Sequence, residues 1–200
     1  MATILVLNSS VLGAASASRI LVEEAVQRLA NATPGARIIQ RDLGTQPVPH
    51  LTAANVAGVR GVPATDEERA ARALSDELLA ELRAADTIII GAPMYNFSIS
   101  TGLRAWFDYI LRAGETFAYS EKGPRGLLAG KRVIVVESRG GLYSEGPYKA
   151  ADFQEPYLRH LLGFIGLTDV TFIHAEKIGL GPEARAAALA SAKQKLAEAA

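Results

Sequence analysis

Thr87-Ile88-Ile89-Ile90-Gly91-Ala92-Pro93-Met94-Tyr95-Asn96-Phe97 opens as an unbroken aliphatic run and closes in a turn that carries two aromatics. A strand that is apolar on both faces has to be covered on both faces. That is the pattern of a parallel sheet between two helical layers, not of an antiparallel sheet with one wet side. Thr87 to Gly91 is therefore read as a buried strand. Working outward, Thr3 to Leu7, Arg37 to Arg41, Arg132 to Glu137 and Val170 to His174 repeat the short aliphatic pattern.

Helical spacing fills the gaps between these runs. From Ser18 the apolar positions Leu21, Val22, Ala25, Val26 and Leu29 recur on one helix face, and Asn31 to Gly35, with Pro34, stops it. Thr65 with Glu68 three residues later is a capping box. It starts a helix carrying Ala73, Leu74, Leu78, Leu79 and Leu82 that runs to about Ala85. Leu103 to Arg112 is a helix with an aromatic face, Gln154 to Gly166 another, and Pro182 to Ala199 an Ala-rich terminal helix. Asp42 to Ala64, with Pro47, Pro49, Gly58, Gly61 and Pro63, reads as an irregular insertion. Five strands alternating with five helices predict an α/β, flavodoxin-like three-layer fold. Its five-stranded parallel sheet has the order 2-1-3-4-5, in one domain over residues 1–200.

Composition narrows the function classes. The 200 residues hold 21 basic and 21 acidic side chains, a formal net charge of +0, without the basic excess a dedicated nucleic-acid binder carries. There is no Cys, which excludes disulfides, thiolate metal sites, iron–sulfur ligation and a Cys nucleophile. The start has no basic segment before its apolar run, and no apolar stretch is long enough to cross a bilayer, so a soluble cytoplasmic protein is expected. All 13 aromatics lie between Tyr95 and Phe172, so the apolar positions of the first strand and helix are aliphatic or small.

Ligands of open parallel sheets bind at the carboxyl ends of the strands, near the reversal of strand order. Three loops fall there. Asn8 to Ser18 is small and polar and leads into a helix N-terminus, where free N–H groups and the helix dipole favour an anion. The hydroxyls of Ser10, Ser16 and Ser18 add donors suited to a phosphate monoester; the alternative is that Ser18 only caps the helix and the others make turns. The loop lacks both the dinucleotide glycine pattern and the Walker lysine. Gly91 to Ser100 mixes turn residues with Met94, Tyr95, Asn96 and Phe97, suited to covering something flat unless the aromatics tuck into the core. Ser138-Arg139-Gly140-Gly141 allows close backbone approach to a ligand, or is an ordinary tight turn. His50, His160 and His174 have no metal-ligand spacing, no metal site is expected, and His174 at a strand end reads as structural. No Gly-x-Ser-x-Gly elbow is present. Glu77 with Glu81 reads as a solvated helix face.

These three loops, in this order, resemble the FMN-dependent NADH-quinone oxidoreductase/azoreductase family: a Ser-rich loop, then Pro93-Met94-Tyr95-Asn96-Phe97, then Ser138-Arg139-Gly140-Gly141. The resemblance extends over Leu74 to Leu78, Arg112 to Gly114, Gly163 to Gly166 and Ala175-Glu176, and so over essentially the whole chain. It implies FMN as cofactor, NADH or NADPH as donor, and a homodimer with two sites at the subunit interface. Ser10, Ser16 and Ser18 match the phosphate-binding positions. Pro93, Met94, Tyr95, Asn96 and Phe97 match those around the isoalloxazine ring, and Ser138 and Gly141 the loop at its far edge. Tyr119 and Phe164 match aromatics that shape the substrate pocket. The chain departs from the pattern at Glu137, where some relatives carry a small hydroxyl residue, and over Tyr143 to Tyr148.

The implied reaction is ping-pong. NAD(P)H passes a hydride to flavin N5 and leaves, and a quinone or azo compound then receives two electrons, with Asn96 and Gly141 contributing donors at the ring edge. No membrane or nucleic-acid partner is expected. Two other classes stand beside it: a flavodoxin-like electron carrier, disfavoured by the neutral charge, and a phosphoester-binding hydrolase without flavin. Trp106, Phe107 and Tyr109 are expected in part of the dimer contact, and Phe172 and Phe153 in the core.

Overall fold

The computed structural model describes residues 1–199. Its main sheet contains β1 (Thr3–Asn8), β2 (Arg37–Asp42), β3 (Thr87–Pro93), β6 (Arg132–Ser138) and β7 (Asp169–Ala175). Every pair is parallel, in the spatial order β2-β1-β3-β6-β7. Numbered within the sheet alone, that is the expected 2-1-3-4-5. The helices are α1 (Ala17–Ala32), α2 (Val56–Arg60), α3 (Asp66–Ala84), α4 (Thr101–Ile110), α5 (Glu155–Phe164) and α6 (Pro182–Ala199).

Strand periodicity divides the core into two layers. Side chains of consecutive strand residues point to opposite faces. Leu5, Leu7, Ile88, Ile90, Val133 and Val135 accordingly meet α3, α4 and α5 through Leu78, Leu82, Leu103, Trp106, Phe107, Leu158 and Leu162. Ile4, Val6, Ile89, Ile134 and Val136 meet α1 and α6 through Leu21, Val22, Ala25, Leu29, Ala192 and Leu196. The central strands are thus buried on both faces as expected. β2, an edge strand, is not: Ile38 is 39% exposed, because a strand with one neighbour is covered on one side only.

The capping box is present: the Thr65 hydroxyl accepts from Glu68 N at 3.2 Å, and the Glu68 carboxylate accepts from Thr65 N at 3.0 Å. Glu77 and Glu81 both pair with Arg41 of β2, so they tie α3 to the sheet edge rather than forming a purely solvated face. The insertion after β2 is mostly coil around α2. A short antiparallel hairpin, β4 (Phe117–Ser120) with β5 (Gly123–Gly126), follows α4 and has no counterpart in the sequence reading.

Two aromatic assignments are corrected. Trp106, Phe107 and Tyr109 are no more than 1% exposed and form the protomer's own core, because the apolar face of α4 lies against the sheet; they are not a dimer contact. Phe153 is 62% exposed rather than core, since it lies in the irregular segment ahead of α5. Phe172 is partly buried and packs at the edge of the core under the Arg159 guanidinium. Among the described residues, no helix is long and apolar enough to cross a membrane.

Candidate cofactor site at the carboxyl ends of the sheet

Backbone hydrogen bonds carry the sheet ladder past the ends of the strands and fasten the three loops side by side. Ser9 N donates to Gly91 O at 3.2 Å, Met94 N to Ser138 O at 2.8 Å, and Arg139 N to Ala175 O at 2.9 Å. On the other flank Leu43 N donates to Asn8 O at 2.7 Å. Gly44 follows, and a Cβ there would sit 2.0 Å from Ser10 O, so only glycine lets this segment back the Ser-rich loop.

The first loop presents unused donors. Ser16, not Ser18, is the N-cap of α1: its hydroxyl accepts from Arg19 N at 3.3 Å and lies 3.0 Å from the Ser18 hydroxyl. The Ala17 and Ser18 amides precede the first intrahelical bond, which runs from Ile20 N to Ser16 O, so the helix itself gives them no acceptor. Ala17, Ser16 and Ser18 are all buried. Arg19 in the same turn pairs with Asp42 through Nη2 while its Nε–H is buried without a partner. Burial pushes the Asp42 carboxyl up, but the bonds from Arg19, Thr45 and Gly44 outweigh it and hold it below the ordinary aspartate value. Buried, unsatisfied donors at a helix N-terminus carry a desolvation cost that an anion would relieve. Such donors suit an anion of the size of a phosphate monoester.

The second loop is a two-residue turn. Tyr95 N and Ser98 O bond at 2.9 Å, Ser98 N and Tyr95 O at 3.1 Å. The two residues between them take φ of 47° at Asn96 and 72° at Phe97. Positive φ at both central positions is the habit of a primed hairpin turn, usual for Asn but strained for Phe, by about 1–3 kcal/mol. The Tyr95 side chain reaches back to the first loop: its hydroxyl accepts from Val11 N at 3.2 Å and lies 3.3 Å from Ser10 Oγ, which accepts from Leu12 N. Pro93 is buried, Met94 and Tyr95 half-buried, and Asn96 and Phe97 exposed. Among the described residues the Asn96 side chain enters no hydrogen bond.

In the third loop Ser138 is buried, and the backbone from Arg139 to Gly141 is zipped to the residues after β7. Ile178 N donates to Arg139 O, Gly179 N to Gly140 O and Lys177 N to Gly141 O. Gly141 also floors an open groove of about 490 Å³ with Leu142, Tyr143, Pro147, Tyr148 and Leu180. The Phe97 and Tyr143 rings meet edge-on at 6.1 Å, linking that groove to the second loop.

Tyr119 and Phe164 lie elsewhere. Tyr119, on β4, is 76% exposed, and both rings touch Phe117, at 5.5 and 4.5 Å. Among the described residues no hydrogen bond or aromatic contact joins this group to the three loops.

Sequence reasoning gave no role to Arg139, Gln154 or Glu137. All are fully buried, and the Arg139 Nη2 lies 2.6 Å from Glu137 Oε2. His174 Nε2 sits between Glu137 Oε2 at 3.1 Å and Glu155 Oε2 at 2.8 Å. Burial pushes the Glu137 carboxyl up. The hydrogen bond to Glu137 raises the His174 imidazole against the opposing effect of burial. Glu137, Glu155 and His174 bring three ligand-type atoms within 4.8 Å, but the Arg139 guanidinium already supplies positive charge to the same Glu137 oxygen.

Comparison with known proteins agrees with this architecture. Residues 2–200 match the family model described as a flavodoxin-like fold. An FMN-dependent NADH:quinone oxidoreductase of Hyphomonas neptunium is 69% identical over 198 residues, covering 99% of this chain and 95% of the relative. The chain belongs to the FMN-dependent NADH:quinone oxidoreductase/azoreductase family. Another family member, from Ralstonia nicotianae, is 50% identical over 192 residues, covering 94% and 92% of the two chains. The crystal structure of an FMN-dependent NADH-azoreductase of the same family, from Bacillus anthracis in complex with FMN, superposes with a TM-score of 0.87. It is 25% identical and covers all of both chains.

Proposed function

We propose that this chain is an FMN-dependent oxidoreductase that moves two electrons from NAD(P)H to quinones and azo compounds in separate half-reactions. The observation that carries the reading is the set of buried, unpartnered donors at the start of α1, joined through Tyr95 to a strained aromatic turn one strand away. A monophosphate with a flat ring system fits that pair of features.

Ser10, Ser16, Ser18 and the first-turn amides would hold the phosphate. Pro93, Met94, Tyr95, Asn96 and Phe97 would border the ring on one side, Ser138 and Gly141 on the other. FMN, when bound, supplies the capacity to accept and return a hydride. The chain's part is to bind, orient and stabilise charge. The Asn96 amide is free to donate, and Gly141, whose carbonyl is engaged by Lys177 N, keeps its N–H for a ring-edge heteroatom. The main-chain bonds among the loops hold these donors in place before any ligand arrives.

The protein acts as a cytoplasmic homodimer in this proposal, one domain over residues 1–200. The exposed Tyr119, with Phe164, shapes the substrate pocket across the subunit interface, which accounts for its distance from the loops of its own chain. The three loops themselves carry a single basic residue, Arg139, whose guanidinium is buried in ion pairs rather than open to a 2′-phosphate, which favours NADH as donor. The visible spectrum of purified protein tests the cofactor: flavin absorbance is expected, and its absence after FMN is added would refute the proposal. Steady-state rates with NADH and menadione should give parallel double-reciprocal lines. Intersecting lines would refute the separate half-reactions.

A further inference from the structure

The second and third loops are bordered by a buried polar hub that the proposed chemistry does not use. The Arg139 side chain is completely buried. Its Nη2 lies 2.6 Å from Glu137 Oε2 and 3.0 Å from Asp152 Oδ2, its Nη1 3.3 Å from Glu176 Oε1, and its Nε donates to Gln154 Oε1 at 3.1 Å. Each of these partners holds another segment. Glu176 Oε1 accepts from Tyr143 N and Ser144 N. Asp152 Oδ1 accepts from Gln154 N and Glu155 N. Next to them Phe153 N donates to Phe97 O at 3.1 Å, and Ser98 Oγ to Phe153 O at 3.3 Å, so this segment grips the turn after β3.

Gln154 makes the decisive link. It too is fully buried, and its Nε2 donates to Ala92 O at 2.8 Å, one residue before Pro93. The orientation of its amide is dictated: Arg139 Nε can only donate and Ala92 O can only accept, so Oε1 must face the first and Nε2 the second. One side chain therefore spans from the root of the Pro93–Phe97 loop to the Ser138–Gly141 loop, the two loops assigned to opposite borders of the ring. An apolar side chain of similar size would leave a charged donor and a carbonyl buried without partners.

We propose that Gln154 and Arg139 are positioning residues that set the spacing of the two ring-bordering loops, with Gln154 as the spacer and Arg139 as its anchor. The inference rests on the functional reading above for the identity of the ligand, but the coupling between the loops does not. Arg139 needs its planar fork to reach Gln154, Glu137 and Glu176 together, so the ammonium of Lys cannot replace it.

The test compares wild type, Gln154→Leu, Gln154→Glu and Arg139→Lys with Arg112→Lys as a control. Arg112 is another buried guanidinium, bonded to Ser75 and Asp76 at the far end of α4. Hydrogen exchange of FMN-free protein should quicken at Met94 and Arg139, whose amides tie the two loops to their neighbours, in Gln154→Leu and Arg139→Lys but not in the control. FMN titration by fluorescence should show Kd raised roughly tenfold or more in those two variants, with a shifted flavin absorption band. Gln154→Glu keeps the bond from Arg139 and loses the one to Ala92 O while ionised. It should show the same defects, partly recovered as the pH is lowered and the carboxyl gains a proton to donate. It also serves as the readout if Gln154→Leu does not fold. Unchanged exchange at Met94 and Arg139 would overturn the coupling. Faster exchange with wild-type FMN affinity and spectrum would overturn the positioning role and leave a structural hub. A wild-type chain that took up no FMN would refute the proposed function, while the exchange data would still decide the coupling.

Discussion

Replacing Asn96 by Gly and, separately, by Ala divides the work of this residue into a backbone part and an amide part. Asn96 sits at φ 47° and its side chain is exposed, so truncation leaves no buried group unpaired and no cavity. Gly adopts this conformation freely, and Asn96→Gly should hold the stability of the FMN-free protein within about 0.5 kcal/mol of wild type. Ala carries a Cβ into the left-handed region, which costs about 1–2 kcal/mol. Asn96→Ala should therefore melt a few degrees lower, at roughly 2–4 °C per kcal/mol for a chain of this size. Both variants lose the amide. If it donates to the ring edge, one hydrogen bond of about 0.5–1.5 kcal/mol disappears, and the FMN Kd rises roughly 2- to 13-fold in each. Thermal melts of FMN-free protein read the first part and fluorescence titration with FMN the second. Wild-type affinity in both variants would refute the placement of Asn96 against the cofactor. Equal stabilities of the two would refute the left-handed conformation at Asn96.

Tyr95→Phe removes the hydroxyl that joins the first two loops, with an expected loss of about 0.5–1.5 kcal/mol in denaturant melts and a weaker FMN affinity; no change in either would show that the link contributes nothing. Trp106→Ala should cost about 3–5 kcal/mol and leave the gel-filtration position of the folded fraction unaltered, because the indole is in the protomer core. A changed oligomeric state at full stability would contradict that burial. His174→Gln tests the sign of a titration. The folded imidazole holds its proton above the ordinary value of 6.5, so its stabilisation is complete below pH 6.5 and is lost as pH rises through the higher folded value. Wild-type stability should fall along that alkaline limb and the variant's should not; parallel curves would show that His174 does not titrate between Glu137 and Glu155.

The parts of the fold legible in sequence are those whose signal is periodic and long. Ile88 to Ile90 and Val133 to Val136 announce a sheet covered on both faces, and Leu78, Leu79 and Leu82 a helix laid over it. The hairpin of β4 and β5 escapes because four-residue strands containing Gly123, Pro124 and Gly126 carry turn chemistry and no alternation. The α4 aromatics were legible as a face, but not which way the face turns. At the site, the Ser-rich loop and the Pro93–Phe97 turn are contiguous in sequence and readable there. Arg139 is not, because its partners Glu137, Asp152, Gln154 and Glu176 are strung over 40 positions and a charged residue carries no mark of burial. Only the fold brings them to one point.

The main-chain bonds that run past the strand ends have a consequence for how such a protein can change. Where loops are held by their own side chains, altering a contact residue moves the loop. Here Ser9, Met94 and Arg139 are fastened through peptide groups, which every residue but proline can reproduce. The exposed side chains at Asn96 and Phe97 can therefore be exchanged against a backbone that stays put, provided the positive φ values are respected. The exposed rim of this loop becomes a matter of side-chain choice on a stationary frame, and it can drift or be redesigned without the chain having to solve its folding problem again.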